Sequence, residues 1–468
     1  MALVETRSID YVPLAERHGK VWHLWPIWFM GDAHLATLAT GAVGIIEGLD
    51  FFWCALAVLG GGLLGTFFMA FHSAQGPELG LPQMIQSRPQ FGYIGALLVW
   101  VVALVTYVGF NAFNQSMIAA TAAELAHWPG PPVILAFSLL AVLIALAGYD
   151  VIHRAQRVLA LVMLVMLAAY TLGALKIADL PALLTPHRFL LGPFLIQFFA
   201  AATYQLSWSI YVSDYSRYLP RAVGVRESFL WTFGGAFIGG AWMMLIGTFA
   251  AAMLGAQDIV GALRHTGDAM LPGFGIVMLV TSIFGLVTVT ALNFYGASLT
   301  LISIVDSLTR VQLGRHARAV SLAVVLLVVL ALSLTSGKNL VAQFEELLAV
   351  LLYLFTPWTA INLVDFFFVR RGRYSIRAMF DPDGLYGRWN WRGLGSYALG
   401  FVAMVPCFKT GLYTGPVAQA LGGADISMLI GLPVSGLFYY WVARRADLAG
   451  EFARIPALDA NLETEGVR

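Results

Sequence analysis

The chain has 468 residues, of which 59% are hydrophobic and only 11% charged, and its mean hydropathy is +0.78. Soluble domains carry about 25% charged residues, so this composition excludes a soluble globular protein and indicates a polytopic membrane protein. The net charge of +1 and the two separated cysteines, Cys54 and Cys407, give no support to a nucleic-acid partner, a disulfide framework or a metal cluster.

Apolar runs that end at charged or turn residues predict an all-α protein with twelve transmembrane spans. Lys and Arg are distributed unevenly between alternate loops, and 22 of the 27 fall on one side, which by the positive-inside rule is the cytoplasm. We therefore expect a multi-pass protein of the cell membrane (plasma or inner) with both termini in the cytoplasm. The predicted spans are 25–48, 51–71, 94–123, 132–151, 156–177, 190–212, 229–254, 273–305, 319–336, 340–369, 395–413 and 426–443.

The first span, WPIWFMGDAHLATLATGAVGIIEG, is long enough to cross a bilayer, which takes about 20 helical residues. Its first half contains Gly31, Asp32 and His34, and polar groups at this depth are tolerated where they face a cavity or a partner. We interpret the span as a discontinuous helix that opens at Gly31 and forms one wall of a substrate site. The alternative is a polar pair that neighbouring helices satisfy without any ligand.

In the third span, Tyr107, Asn111 and Gln115 are spaced four residues apart and therefore share one helix face. An aromatic ring followed by two amides suits a flat, uncharged ligand that can stack and form hydrogen bonds. Hydrogen bonding between helices, which holds membrane spans together, explains the same pattern without a ligand.

The sixth span places Tyr204, Gln205 and Trp208 near its middle, away from the interfacial belt where tryptophan is usual. Because its neighbours are polar, this tryptophan predicts a cavity wall rather than lipid-facing packing. Asp214 and Arg217 follow at the cytoplasmic end, where we expect them to pair with each other or to gate the inner mouth.

The eighth span carries neutral oxygen groups, which together with freed backbone carbonyls suit a sodium ion. For any single hydroxyl, the simpler expectation is a hydrogen bond to a preceding carbonyl of its own helix. In the tenth span, we expect Glu345 or Glu346 to line an outer vestibule. The eighth-span groups are Thr288, Thr290, Asn293, Ser298 and Thr300.

Four long segments, in order along the chain, resemble the nucleobase:cation symporter-1 family, which includes purine–cytosine permeases and the hydantoin transporter. The resemblance runs from about 25 to 443 and favours the cytosine and purine permease branch. The segments are GLPQMIQSRPQFGY (80–93), SWSIYVSDYSRYLP (207–220), PWTAINLVDFFFVRRGRYSI (357–376) and FDPDGLYGRWNWRGLGSY (380–397).

The resemblance implies the five-plus-five inverted-repeat fold of the leucine-transporter type, with two added C-terminal helices and transport by alternating access. It places the substrate between the first, third, sixth and eighth spans, with Tyr107 and Trp208 as the rings that sandwich a base. Gln205 is the position that the hydantoin branch would use for the second ring. Carried over by position, the substrate-binding residues are Gly31, Asp32, Tyr107, Asn111, Gln205, Trp208 and Asn293, and we add His34 because it lies near Asp32 in the first span.

The resemblance also implies a co-transported cation. A sodium site like that of the hydantoin branch would combine first-span carbonyls, including that of Gly31, with eighth-span hydroxyls. Here Thr288 supplies one hydroxyl, but Val287 stands where a second is expected. Asp32 offers a proton-coupled alternative, because burial disfavours its charged form. Na⁺ and H⁺ therefore both stay open, and no cofactor or further metal is predicted.

The predicted organisation has six parts, from a cytoplasmic N-terminal segment to a cytoplasmic tail. The tail is short and polar, and we expect it to be disordered. The oligomeric state is left open, with a monomer among the choices. The parts are 1–24 (N-terminal segment), 25–177 (first repeat), 190–369 (second repeat), 370–394 (cytoplasmic loop), 395–443 (spans eleven and twelve) and 444–468 (tail).

We therefore predict a secondary active transporter, not an enzyme, that imports cytosine or a purine together with Na⁺ or H⁺. Within the same fold, the alternative substrates are a hydantoin, allantoin, a pyrimidine vitamin precursor or a nucleoside. The alternative of another class is a membrane sensor with a transporter-like fold. A membrane enzyme or a channel would need a catalytic cluster or a pore ring that the sequence does not show.

Overall fold

The computed structural model describes residues 9–255, 258–309, 316–335 and 340–465. Within these ranges the protein is helical, and β pairing is limited to one isolated bridge between Lys409 and Thr414. The α-helices are, in chain order, α1 (Leu24–Asp32), α2 (Leu35–Ile46), α3 (Phe51–Phe71), α4 (Gln75–Leu79), α5 (Arg88–Phe91), α6 (Leu97–Ala126), α7 (Gly130–Ala147), α8 (Tyr149–Ile177), α9 (Leu180–Leu184), α10 (Leu191–Ser207), α11 (Val212–Ser216), α12 (Val225–Leu254), α13 (Ile259–Met270), α14 (Phe274–Thr309), α15 (Ala317–Thr335), α16 (Leu340–Val364), α17 (Trp391–Met404), α18 (Pro416–Ala420), α19 (Ser427–Ala443), α20 (Leu448–Leu458) and α21 (Leu462–Glu465).

In the described part of the chain, nine of the predicted spans coincide with helices long and apolar enough to cross a membrane. One of these nine, the predicted first span, is a broken pair of helices, Val21–Asp32 and Leu35–Ile46, bent by 57°. The predicted sixth, eleventh and twelfth spans fall on the shorter helices α10, α17 and α19, so the count of twelve and the division into two repeats stay predictions. The eight continuous spans are Phe51–Leu79, Leu97–Ala126, Gly130–Ala147, Val151–Ile177, Val225–Leu254, Phe274–Thr309, Ala317–Thr335 and Gln343–Val369.

The first span is discontinuous, as predicted, but the break lies beyond Gly31. The helix α1 includes Gly31, and the chain leaves helical geometry at Ala33 (φ −83°, ψ 64°) and His34 (φ −152°, ψ 174°). The His34 side chain accepts a hydrogen bond from the backbone N–H of Ala36 and so caps α2. The break falls two residues later than expected because a capping side chain, not a glycine, sets it.

The sixth span is interrupted as well. The helix α10 ends at Ser207, a 3₁₀ turn covers Trp208–Tyr211, and α11 begins at Val212. The two interruptions lie side by side, since a Cβ added to Gly31 would be 3.9 Å from the indole of Trp208. This juxtaposition positions the candidate site.

Close helix packing holds the sixth span in this place. A Cβ on Gly61 of α3 would lie 1.9 Å from the carbonyl oxygen of Phe198, and one on Gly65 would lie 2.1 Å from that of Ala202. Small residues allow helix backbones to approach in this way inside a bilayer. Any larger side chain at Gly61 or Gly65 would push α10 away from α3.

As far as Glu465, the C-terminal tail is helical and docked, so the expectation of disorder is wrong for this part of it. Asp459 accepts hydrogen bonds from Ser375 Oγ (2.9 Å), from the backbone N–H of Ile376 (2.9 Å) and from that of Arg377 (3.1 Å). These bonds were invisible in the sequence because they join residues more than 80 positions apart. They fix α20 and α21 against the loop that follows α16.

The tail also binds the N-terminal segment, so Tyr11 and Glu463, near the two ends of the described chain, lie on one face of the molecule, here called the terminal face. Glu463 accepts hydrogen bonds from Tyr11 Oη (2.6 Å) and from the backbone N–H of Leu14 (2.9 Å). Burial, followed by the hydrogen bond to Glu463, raises the pKa of Tyr11, so its hydroxyl keeps the proton that it donates.

We expect Asp459→Ala to lower the melting temperature of the purified protein, because three hydrogen bonds to a carboxylate are lost and such bonds contribute about 1.5–3 kcal/mol each. The control is Asp383→Asn. Asp383 forms an ion pair with Arg388, and the side chains of Asp383 and Arg388 are 63% and 54% exposed. Exposed ion pairs contribute about 0–1 kcal/mol. Equal melting temperatures and equal protease sensitivity of the tail in the two variants would contradict the docking of the tail.

Candidate functional site

The two interrupted spans bring the predicted polar residues together in the interior. The predicted substrate residues whose exposure is given are at most 2% exposed, and polar groups at this depth are costly unless something pairs with them. They lie between α1, α6, α10 and α14. They are Asp32, His34, Tyr107, Asn111, Gln205, Trp208 and Asn293, with Gly31 buried beside them.

Asp32 supplies the carboxyl group of this region. The Gln205 amide and the Trp208 indole lie beside it, but in the described ranges neither Asp32 oxygen is reached with hydrogen-bonding geometry. The indole N–H of Trp208 and the amide oxygen of Gln205 are unpaired there too. Three residues from the two broken spans thus present free hydrogen-bonding groups at one point.

The imidazole of His34 is, by contrast, fully engaged. Its Nε2 lies 2.7 Å from the carbonyl oxygen of Gly31, and its Nδ1 accepts from the N–H of Ala36 (3.3 Å). The hydroxyl of Tyr204 lies 3.3 Å from Nε2 and 2.7 Å from the hydroxyl of Thr37. Both ring nitrogens of His34 therefore contact backbone groups at the break in the first span, and neither is left free for a ligand.

On α6, the predicted residues separate into two environments. Asn111 is buried with both side-chain polar atoms unpaired within the described residues. The ring of Tyr107 lies one turn away, 5.0 Å from Tyr211, and a Cβ added to Gly296 would be only 2.6 Å from it. Asn111 thus has hydrogen-bonding capacity left for a ligand, while Tyr107 is packed into α14.

Phe110 is the α6 ring on the same side as Trp208. Their centroids lie 6.4 Å apart at an interplanar angle of 31°, and Phe110 also contacts Tyr204 edge-on at 5.9 Å. Sequence reasoning missed this residue because a phenylalanine in an apolar span carries no polar signal. Its position directly before Asn111 was the one available indication.

Phe344 of α16 packs next to Phe110 on the side of the candidate site that lies away from the termini. It lies 5.7 Å from Phe110 and stacks on Phe113 at 4.0 Å. A cavity of about 310 Å³ lies further out on the face opposite the termini, and Glu345 and Glu346 both line it, as expected. Phe344 thus separates an acidic vestibule from the buried site.

The predicted residues of α14 are mostly satisfied within the protein. Asn293 accepts a hydrogen bond from Tyr211 Oη at 3.2 Å, and the hydroxyl of Thr288 donates to the carbonyl of Gly285 in its own helix at 3.0 Å. The hydroxyl of Thr290 is buried without a partner in the described part of the chain. The predicted sodium ligand Thr288 therefore follows the simpler of its two expectations.

Asp214 and Arg217 lie apart from this site, towards the terminal face. Asp214 accepts a hydrogen bond from the backbone N–H of Gln83 (2.7 Å), and Arg217 donates to Tyr295 Oη (3.1 Å). Both are at most 3% exposed. They tie α11 to the loop after α4 and to α14, and the gating role expected of them stays a prediction.

The similarity of this chain to known proteins bears on this arrangement. A family model for permeases of cytosine/purines, uracil, thiamine and allantoin matches residues 11–431. YxlA of Bacillus subtilis, provisionally named as a purine-cytosine permease, is 36% identical over 440 residues, covering 93% of this chain and 95% of that protein. The purine-cytosine permease fcyB of Emericella nidulans is 25% identical over 470 residues, covering 93% of this chain and 87% of that protein.

Among solved structures, the chain is similar to Mhp1, a nucleobase-cation-symport-1 family transporter, in a closed conformation with bromovinylhydantoin bound. The TM-score is 0.76 at 18% identity, and the match covers 98% of this chain and 100% of that one. This likeness, together with the apolar helices, confirms the predicted class of an all-α polytopic membrane fold.

Proposed function

Because this chain belongs to the family of permeases for cytosine, purines, uracil, thiamine and allantoin, we propose that it imports cytosine or a purine across the cell membrane by secondary active transport. Membership of a permease family sets the membrane enzyme aside. We propose that both termini lie in the cytoplasm. The Lys and Arg distribution supports this orientation, and the contact between Tyr11 and Glu463 supports a common side for the two ends.

One observation carries the choice of substrate: two aromatic rings and several unpaired polar groups converge in one buried site. The rings of Phe110 and Trp208 lie 6.4 Å apart. A planar ring stacked between two others needs about 3.5 Å on each side, or about 7 Å in total, so a small movement of one ring would admit a heterocycle. We therefore assign the first ring of the sandwich to Phe110 in place of Tyr107.

The unpaired groups suit the edge of a nucleobase. Asn111 offers one acceptor and two donors, and the protonated Asp32 carboxyl offers one O–H donor and one carbonyl acceptor. A buried polar group left unpaired costs about 1–3 kcal/mol, so a ligand that pairs with these groups gains binding free energy. Cytosine, adenine and guanine carry amino donors next to ring-nitrogen acceptors, and a protonated carboxyl can accept from the amino group and donate to the ring nitrogen.

We propose that the coupled cation is the proton and that Asp32 carries it. The side chain is 1% exposed and forms no ion pair within the described residues. A lone ionised carboxylate is costly in an apolar interior, whereas its protonated form is tolerated. The engagement of Thr288 with its own helix removes one of the groups that would favour sodium.

The stacking assignment predicts that Phe110→Leu raises the half-saturation concentration for cytosine uptake about 5- to 150-fold, because base–aromatic stacking contributes about 1–3 kcal/mol. Trp208→Leu should act in the same way. Tyr107→Leu is the discriminating variant, and we expect its effect to be under about 3-fold. A larger effect of Tyr107→Leu than of Phe110→Leu would return the first ring to Tyr107.

Uptake of labelled cytosine into proteoliposomes, with proton and sodium gradients imposed separately, tests the transport proposal. We expect an inward proton gradient to drive accumulation that adenine or guanine competes away. Asp32→Asn cannot carry a proton, so it should lose accumulation but still exchange labelled for unlabelled cytosine. Asp383→Asn, an exposed position outside the site, is the control.

The other outcomes are also informative. Uptake under neither gradient would remove cytosine as substrate and direct the assay to hydantoins, allantoin, pyrimidine precursors and nucleosides. Accumulation driven by protons in Asp32→Asn would contradict the role of Asp32.

A further inference from the structure

The broken first span creates a place where a cation would ordinarily bind. The last carbonyls of a half-helix have no partners in their own helix and carry the negative end of its dipole. In broken spans of transporters, such carbonyls coordinate Na⁺. Here the carbonyls in question are those of Gly31, Asp32 and Ala33, at the end of α1.

Two of these carbonyls are already paired by a single residue. The Asp32 carbonyl accepts from the backbone N–H of His34 at 2.9 Å, and the Gly31 carbonyl lies 2.7 Å from His34 Nε2. Since Nδ1 accepts from the N–H of Ala36, the proton of the neutral ring sits on Nε2. The imidazole N–H therefore donates to the very oxygen that a sodium ion would need.

The part of α14 that faces the break supplies few oxygen groups that could bind a cation in place of these carbonyls. The hydroxyl of Thr288 donates to the Gly285 carbonyl, and the residue before it is the apolar Val287. Gly285 approaches the break closely, since a Cβ there would be 3.2 Å from the Ala33 carbonyl oxygen. A cation at this point would have to displace His34 and reorient Thr288.

The geometry points to a substitution of function: we propose that His34 takes the place of a bound sodium ion, holding the two halves of the first span together, so that sodium is not a co-substrate. His34 is then a positioning residue, oriented in turn by Tyr204 and Thr37. This inference rests on the proposed transport function for its meaning, but sodium binding can be measured without any substrate.

Two isosteric substitutions separate the two nitrogens of His34. Asn places an oxygen near the position of Nδ1, so His34→Asn keeps the cap on α2 but loses the donor to Gly31. Gln places its amide nitrogen near Nε2, so His34→Gln keeps that donor. Val287→Ser, combined with each, supplies the missing hydroxyl and gives a matched pair of double variants.

The measurement is the melting temperature of the purified full-length protein when choline chloride is replaced by sodium chloride at constant ionic strength. We expect no change for the wild type and for His34→Gln/Val287→Ser. For His34→Asn/Val287→Ser we expect a rise of about 2 °C or more, because a ligand that binds only the folded state stabilises it. Binding of ²²Na⁺ to the wild type is the second measurement if the Asn variant does not fold.

Stoichiometric ²²Na⁺ binding to the wild type, or its stabilisation by sodium, would overturn the proposal. An equal response of the two double variants, or none in either, would overturn it as well, since His34 would then not be what excludes the ion. Failure of cytosine uptake together with the expected melting temperatures would remove the substrate and leave the role of His34 standing.

Discussion

Backbone hydrogen bonding inside the bilayer is the constraint on which the rest of the structure depends. An intact spanning helix pairs its own N–H and C=O groups, and every interruption leaves some of them without partners. At the interruption of the first span, His34 pairs with a backbone group on each side. Its Nδ1 accepts from the N–H of Ala36, and its Nε2 lies against the carbonyl oxygen of Gly31. An interruption of this kind is tolerated only if protein encloses it, and that enclosure is what gathers Asp32, Gln205 and Trp208 into one interior site.

Enclosure in turn requires helices that approach closely, and α12 shows how this is achieved. A Cβ added to Gly239 would lie 2.6 Å from the carbonyl oxygen of Phe29 in α1, and one on Gly247 would lie 2.0 Å from that of Leu38 in α2. One long helix thus supports both halves of the broken span. Because both halves rest on the same surface, the break between them keeps a defined geometry even though no helical hydrogen bonds cross it.

The broken span and most of the polar site could be predicted because apolar length and the rarity of intramembrane charge are local properties of the sequence. The exact break could not, since it depends on which nitrogen of His34 meets which backbone group. The rotation of α6 was equally inaccessible, and it decides whether Tyr107 or Phe110 lies near Trp208. It is set by the close packing of Tyr107 on Gly296, a contact between residues far apart in the chain. The tail helices depend on Asp459 in the same way.

The two faces of the protein are closed to different degrees, and this asymmetry bears on how a buried site is reached. On the terminal face, the N–H groups of His18 and Gly19 both donate to the carbonyl of Tyr218 at 3.0 Å, just beyond α11. On the opposite face, the cavity reaches as far as Thr203, next to Tyr204. The segment that donates to Tyr218 leads directly into α1, and the last residue of that nine-residue helix is Asp32. One short helix therefore joins the contacts of the terminal face to the buried carboxylate.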